Sequence, residues 1–158
     1  LKKNELLFKE GQISDQIGYV YKGMVRQFYY KNNREITEHF ACNGSMFICI
    51  ESFLRQKPTP LKVEAIEPSV VYGIPYHPLE ELSKEYYEIG LLYRKMLEAS
   101  LILSQRKADS IRFESARERY ERLLKNNPEI IRRAPLSQIA SLLEMTPETL
   151  SRVRAGTL

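Results

Sequence analysis

The sequence contains no tryptophan, only two cysteines and only two histidines. Two thiols, Cys42 and Cys49, are too few for an iron–sulfur cluster, and we expect both to stay free in a reducing cytoplasm. His39 and His77 are far apart in the sequence, whereas a catalytic metal on a β-barrel needs three or more ligands at close spacing. We therefore expect no cofactor and no metal site, which disfavours an enzyme built on a cupin-like roll.

Long apolar runs are also absent. A membrane-spanning helix needs about 20 consecutive apolar residues, and the chain has neither such a run nor a secretory signal at its start. These features predict a cytoplasmic protein without a membrane partner. The 158 residues open at Leu1 without an initiator methionine, and we expect them to be part of a longer protein.

Positive charge is concentrated in the last third of the chain. Residues 1–103 carry 13 basic and 13 acidic side chains, whereas residues 104–158 carry 11 basic and 7 acidic ones. A basic segment attached to a neutral one indicates a polyanionic partner for the basic segment. Charge alone, however, favours a solvated helix surface that has a slight excess of arginine.

The first 75 residues have the pattern of short strands and turns. Residues 18–30 are rich in β-branched and aromatic side chains and end at a turn signal, residues 31–34. Polar and apolar residues alternate in 35–40 and again in 61–66, and a last strand is expected at 70–74. Strands this short and evenly spaced predict a small barrel or roll.

A long helix follows, because the apolar period changes from 2 to about 3.6 residues after Pro78. One apolar stripe has the heptad spacing of a coiled-coil seam and consists of Ile89, Leu92, Met96, Ala99 and Leu103. A second stripe includes Tyr93, Leu97 and Leu101. A helix with two apolar stripes must be covered from two sides. We expect the roll to cover one and a partner chain the other; the alternative is a helix buried within one monomer.

The segment after this helix has the pattern of a helix-turn-helix. Ser115 and Glu118 have capping-box spacing, which places a domain boundary near Glu114. Residues 136–153 then hold two short amphipathic helices, with Thr146 as the N-cap of the second and Pro147 at its first position. At the turn between them, Glu144 stands where glycine is favoured. A left-handed non-glycine residue costs on the order of 1 kcal/mol, which is tolerable.

In a helix-turn-helix, the second helix enters the major groove, and residues near its start reach the base edges. Residues of the first helix contact phosphates more naturally. The expected DNA-binding residues are Ser137, Gln138, Thr146, Glu148, Thr149, Ser151, Arg152 and Arg154. A plain helical hairpin with a charged face is the competing interpretation.

At these residues the sequence resembles the Crp/Fnr family of bacterial transcription regulators, most specifically in the segment Thr-Pro-Glu-Thr-Leu-Ser-Arg at 146–152. The resemblance extends over essentially the whole chain. It implies an α+β fold with a double-stranded β-helix (β-roll or jelly roll) at 1–83, a dimerisation helix at 84–113, and a helix-turn-helix domain of the winged-helix type, possibly truncated, at 114–158. It also implies Glu148 and Arg152 as base readers, a palindromic operator, a homodimer, and RNA polymerase as a partner.

The resemblance weakens at the cyclic-nucleotide pocket. Cyclic AMP-binding members carry Phe-Gly-Glu and, about ten residues later, Arg-Ser-Ala or Arg-Thr-Ala; this chain has Phe47-Ile48-Cys49 and Thr59-Pro60-Leu61. Cys49 replaces the glutamate, Thr59 replaces the arginine, and Pro60 has no N–H to donate. Ser104 and Gln105 stand where the long helix could touch a nucleobase. We expect a degenerate pocket with weak or no cyclic AMP binding.

Two functions therefore remain in competition. The first is a sequence-specific DNA-binding regulator. The second is a small-molecule sensor on a β-roll whose DNA binding is weak or absent.

Overall fold

The computed structural model describes residues 1–157, so Leu158, the last residue of the predicted DNA-binding domain, lies outside the described residues. The N-terminal half contains seven strands and one short helix. They are β1 Leu6–Phe8, β2 Gln16–Lys22, β3 Met24–Lys31, β4 Arg34–Cys42, β5 Met46–Phe47, α1 Ile50–Arg55, β6 Lys62–Ala65 and β7 Val70–Pro75.

These strands form two antiparallel sheets, one with the order β1-β6-β3-β4 and one with the order β5-β2-β7. Both sheets contribute side chains to one buried cluster, which includes Val20 from β2 and Val25 from β3. The stretch that the sequence predicted as strand-rich, 18–30, is thus two strands in different sheets. Gly23 separates them with a φ of 102°, a conformation that side chains with a Cβ rarely adopt.

The turn predicted at 31–34 is confirmed. It closes the hairpin of β3 and β4, in which Lys31 pairs with Arg34. Asn32 and Asn33 both have positive φ, as a tight two-residue hairpin requires, and asparagine tolerates this conformation better than most residues. β4 is an edge strand of the four-stranded sheet.

The remainder of the described chain is helical. The helices are α2 Tyr76–Glu85, α3 Tyr87–Phe113, α4 Ala116–Asn126, α5 Pro128–Arg133, α6 Leu136–Leu142 and α7 Pro147–Arg154. The long helix begins at Tyr87, later than the predicted start at 84, because Tyr86 has extended backbone angles and interrupts the chain of helical hydrogen bonds. Residues 84 and 85 belong to α2 instead.

The predicted break after the long helix is confirmed. α3 ends at Phe113, and Ser115 caps α4 with the full reciprocal capping box. In it, the Ser115 hydroxyl oxygen accepts from the Glu118 N–H, and the Glu118 carboxylate accepts from the Ser115 N–H. We call the part of the chain from Glu114 to Thr157 the helical module, and residues 1–75 the roll. The α+β architecture of antiparallel sheets followed by a long helix agrees with the prediction. Within residues 114–157 there is no strand that could form a wing.

The helical module packs directly against the roll. A shared apolar cluster joins Met24 and Phe40 of the roll to Ile139, Leu143 and Leu150 of the module. At the edge strand β4, the Ser141 hydroxyl of α6 accepts from the Thr37 N–H at 2.8 Å and donates to the Glu35 carbonyl at 3.0 Å. Helix α6 therefore covers an edge that would otherwise expose unpaired backbone groups.

Candidate functional site

A cavity of about 710 Å³ lies between the roll and α3. Its wall on the roll side comes from β3, β4, β5, α1 and the segment around Thr59, and its wall on the other side comes from Lys95 to Ser104 of α3. Sites for small organic ligands are commonly about 300–1,000 Å³. The cavity is thus large enough for such a ligand, which would touch the roll and the long helix together.

Five of the six predicted pocket residues line this cavity. They are Phe47, Cys49, Thr59, Pro60 and Ser104. The sixth, Gln105, is not part of the lining; it is exposed, and its amide donates to Asp109 Oδ1 at 2.9 Å. Ser104 is thus the last residue of α3 that borders the cavity, and Gln105 lies just beyond its edge.

The polar groups in the cavity wall are held uncharged or already bonded. Gln27, which is 4% exposed, donates its amide to the Ile48 carbonyl at 3.1 Å and to the Cys49 sulfur at 3.3 Å. Burial raises the pKa of the Cys49 thiol, so the thiol stays protonated at neutral pH. Desolvation, assisted by the nearby Lys107 ammonium, lowers the pKa of His39 to about 4, so its imidazole is neutral.

Gly18 determines the position of Phe47 in the wall of the cavity. The two residues pair across β2 and β5, and a Cβ on Gly18 would lie 2.1 Å from the Phe47 ring. Only glycine therefore lets this ring lie flat over β2. Gly18 and Gln27 were not among the predicted pocket residues; an isolated glycine inside a strand pattern is the one sequence signal that could have drawn attention to such a close approach.

A second candidate site is the outer face of α7. Thr146 caps this helix by accepting from the Thr149 N–H at 3.2 Å, and Pro147 is its first residue, both as predicted. Leu150 and Val153 are buried against the module. The rest of the helix surface is exposed and carries Glu148, Ser151, Arg152 and Arg154; of its charged side chains, those of Glu148 and Arg152 lie farthest from the buried side.

The charged side chains of this outer face are Glu148, Arg152 and Arg154. Within residues 1–157, neither Arg152 nor Arg154 has a carboxylate within salt-bridge distance. Hydrogen bonding at the start of the helix, first from the Glu148 backbone N–H and then from the Thr146 side chain, lowers the pKa of the Glu148 carboxyl. The face therefore presents two unpaired guanidinium groups, with one carboxylate near the start of the helix.

The connection between α6 and α7 has the predicted left-handed residue. Glu144 has a φ of 51°, and the Met145 N–H donates to the Ala140 carbonyl at 3.0 Å. Arg119 of α4 also stabilises the turn, because its side chain donates to the Leu143 carbonyl at 2.9 Å. Tertiary hydrogen bonds thus compensate the conformational cost at Glu144.

Of the two predicted phosphate contacts in α6, only one is fully exposed. Ser137 is exposed, as a phosphate contact requires. Gln138 is only partly exposed, and its Oε1 is buried without a hydrogen-bond partner among the described residues. Ser141 lies one turn further along and bonds to β4. In this arrangement, the Gln138 amide oxygen faces protein, and only the amide N–H could donate to a phosphate.

The predicted dimer stripe of α3 falls into two environments. Ile89 and Met96 pack against the chain's own cluster of Ile17, Phe53, Leu79 and Tyr93. Met96, Ala99 and Leu103 border the cavity. By contrast, Leu92 and Leu103 are 56% and 51% exposed, and Leu101 and Ile102 are 68% and 52% exposed. Part of the helix is therefore covered by the roll, and part of its apolar surface is uncovered.

No group of three or more histidine, cysteine, aspartate or glutamate side chains within 1–157 is arranged to hold a metal ion. None of the helices there has the length and hydropathy needed to cross a membrane.

The sequence of the roll shows the family to which the chain belongs. The sequence profile described as "Cyclic nucleotide-binding domain" matches residues 1–86, more than half of the chain. The chain belongs to the cyclic nucleotide-binding domain family. No curated protein matches it in sequence.

Solved structures extend the likeness through the helical module. FixK2 from Bradyrhizobium japonicum matches with a TM-score of 0.79 and 22% identity over 98% of this chain and 80% of its own. The Thermus thermophilus Catabolite Activator Protein gives 0.58 and 20%, over 99% and 75%. CLP of Xanthomonas campestris, described as a c-di-GMP responsive global regulator, gives 0.73 and 19%, over 99% and 83%. These neighbours are Crp/Fnr-family regulators, and this member of the cyclic nucleotide-binding domain family shares their fold.

Proposed function

We propose that this chain is a Crp/Fnr-type transcription regulator that binds a palindromic operator in double-stranded DNA as a homodimer. The observation that carries the proposal is the outer surface of α7, a capped helix that follows a tight turn, where Arg152 and Arg154 are exposed and have no salt-bridge partner within residues 1–157. The fold shared with known regulators supports it. RNA polymerase is the further partner that such a regulator would need.

The chemistry of α7 suits the major groove. A guanidinium can donate two hydrogen bonds to guanine O6 and N7, and a carboxylate can accept from the cytosine amino group. Arg152 and Glu148 are one helical turn apart on the same exposed face, so they could read neighbouring bases. Ser137, at the start of α6, is free to contact a phosphate. Gln138, which is partly exposed, could join it only through its amide N–H.

Sequence selection from a pool of random duplexes tests the proposal directly. We expect an enriched palindrome whose half-sites are about 34–36 Å apart, the spacing of two recognition helices related by a two-fold axis. Arg152→Ala should lose discrimination at one base pair per half-site by about 1–3 kcal/mol. The control is Arg117→Ala, which removes an exposed arginine of the same module that is paired with Glu121.

Equal selectivity in Arg152→Ala and Arg117→Ala would contradict the assignment of α7 as the recognition helix. A pool that shows no enrichment with the unaltered chain would favour the competing function, a small-molecule sensor without specific DNA binding.

The homodimer is proposed from the uncovered part of α3. Leu101, Ile102 and Leu103 are consecutive and so point in three directions, yet each is more than half exposed. A helix that is apolar on all sides needs cover from another element. A second copy of the same helix would provide it, and Leu92 would extend the seam toward the start of the helix.

Leu101→Lys tests this interface without disturbing the packing of the roll, because Leu101 is 68% exposed in the single chain. We expect the variant to sediment as a monomer and to lose most of its operator affinity, since each half-site would then be bound alone. Leu124→Lys, at an exposed leucine on α4, serves as the control and should remain dimeric. A Leu101→Lys dimer with full affinity would refute this interface.

A further inference from the structure

The cavity between the roll and α3 has the size of a ligand site, and the groups that line it define the kind of ligand it can take. The segment that would face a phosphate in a cyclic-nucleotide site contains Thr59, Pro60 and Leu61. The Thr59 N–H donates to the Gln12 carbonyl at 2.9 Å, and the Leu61 N–H donates to the Thr59 hydroxyl oxygen at 3.0 Å. Proline has no N–H, so this segment has no free backbone donor for an anion.

The charged side chains around the cavity do not favour an anion either. No arginine is among the lining residues that the structure describes, and the acidic ones are Glu38 and Glu51. Lys95 is the one lysine in the lining, and it is mostly exposed and bonded to Glu98 at 3.0 Å. Glu38 is paired with Lys107 and Glu51 with Arg55, so a phosphate in the cavity would find no free cation among the lining residues that the structure describes. A charged group that leaves water without a partner incurs a large desolvation cost.

The remaining lining is apolar with a few neutral polar groups. Isoleucine, leucine, methionine and proline side chains dominate, from Ile17 and Ile48 on the roll to Met96 and Leu103 on α3. The neutral His39 imidazole and the hydroxyls of Ser100 and Ser104 are the polar groups available for orienting a ligand. Such a wall binds molecules by removing apolar surface from water and adds one or two hydrogen bonds for direction.

We propose that this cavity binds an uncharged, predominantly apolar small molecule, which contacts the roll and the long helix at the same time. A role for this molecule as the effector rests on the regulator function proposed above, whereas the binding itself does not. Because the ligand would touch Phe47 on one side and Ser100 and Ser104 of α3, which flank the uncovered residues 101–103, on the other, its binding would act on the same helix as dimerisation.

Fluorescence titration with N-phenyl-1-naphthylamine, an uncharged apolar fluorophore, tests the proposal on the whole chain in the absence of DNA. We expect saturable binding of one probe per chain. Millimolar cyclic AMP, added as a competitor, should not displace it. Competitive displacement by cyclic AMP would overturn the proposal, because it would show that the cavity accepts a cyclic phosphate.

Adjacent residues of α3 provide a matched pair of variants. Ser104→Phe would fill the cavity, and we expect it to weaken probe binding by about tenfold or more, whereas Gln105→Phe adds the same ring outside the cavity and should change binding by less than about twofold. Ser100→Phe is a second cavity-filling variant with the same expectation, and circular dichroism verifies that all three remain folded.

Equal probe affinity in Ser104→Phe, Ser100→Phe and Gln105→Phe would place the probe on the surface and refute the proposal. None of these outcomes depends on operator binding, so a failure here is distinguishable from a failure of the DNA-binding function. If the probe binds as expected and the duplex pool shows no enrichment, the cavity assignment stands and the regulator assignment falls.

Discussion

The roll and the helical module differ in what they bury. Every buried polar or charged residue of the described chain precedes Glu114, and seven of the eight lie in the roll, including Arg26 and Gln27. The module buries only apolar residues, among them Leu123, Ile139 and Leu150. A fully bonded polar group specifies one arrangement of its surroundings, whereas an apolar contact tolerates small shifts. Buried polar contacts therefore hold side chains of the roll in defined positions, whereas the module has an apolar core and a polar outer face.

Arg26 is the buried charged residue of the roll; its two Nη atoms are bonded, whereas its Nε has no hydrogen-bond partner among the described residues. Its side chain is 2% exposed, with the guanidinium 2.8 Å from Glu35, 2.7 Å from Glu64 and 4.0 Å from the centre of the Phe28 ring. Arg26→Ala would leave Glu64 partly buried without its cation. We expect the free energy of unfolding to fall by about 3–5 kcal/mol, measured by urea denaturation.

The control for this prediction is Arg55→Ala, which breaks an exposed pair with Glu51 and should cost less than about 1 kcal/mol. If both variants lose the same stability, burial of the arginine is not what distinguishes the roll.

Leu150 tests the module side of the comparison. It is fully buried in the cluster that also contains Met24 and Phe40 of the roll. Leu150→Ala should lower the free energy of unfolding by about 2–5 kcal/mol through lost burial and a residual cavity. Because the cluster joins both regions, we expect circular dichroism and tyrosine fluorescence to report one coincident transition.

Leu124→Ala, at a leucine that is 45% exposed, is the matched control and should have a much smaller effect. Two separated transitions in Leu150→Ala would mean that the roll and the module unfold independently, against the shared core.

The smallest effect is expected where the two regions meet by hydrogen bonds. Ser141→Ala removes the hydroxyl that bridges the Thr37 N–H and the Glu35 carbonyl. A bond of this kind contributes about 1 kcal/mol. The Thr37 amide should therefore exchange with solvent about fivefold faster, as hydrogen exchange measured by NMR would show.

Ser137→Ala, on the exposed side of the same helix, should leave the exchange of the Thr37 amide unchanged. An unchanged rate in Ser141→Ala as well would show that the apolar cluster alone holds α6 against the edge strand.

Local signals in the sequence predicted the elements best. The capping box at Ser115, the cap and proline at Thr146–Pro147, the left-handed Glu144 and the hairpin at Asn32 and Asn33 are all present as expected. Each depends on backbone geometry over a few residues, which the residues themselves determine. The split at Gly23 was missed because both flanking segments have the same strand composition.

Candidate site residues were predicted less well where the prediction required knowing which way a side chain points. The family resemblance pointed to five residues that do line the cavity, Phe47, Cys49, Thr59, Pro60 and Ser104, but also to Gln105, which does not. The heptad spacing placed Ile89 and Met96 in a seam between chains, whereas within the single chain they pack against the roll. A periodic pattern gives the apolar side of a helix but not the surface that covers it.

The order and ends of most helices and strands and the basic character of the last third follow from local patterns in the sequence, because these are properties of single residues and their near neighbours. Tertiary contacts, by contrast, place the module against β4, the Gln138 amide oxygen against protein and the neutral His39 in the wall of the cavity. Those outcomes depend on contacts between residues up to about a hundred positions apart, for which hydrophobic periodicity contains no distance information.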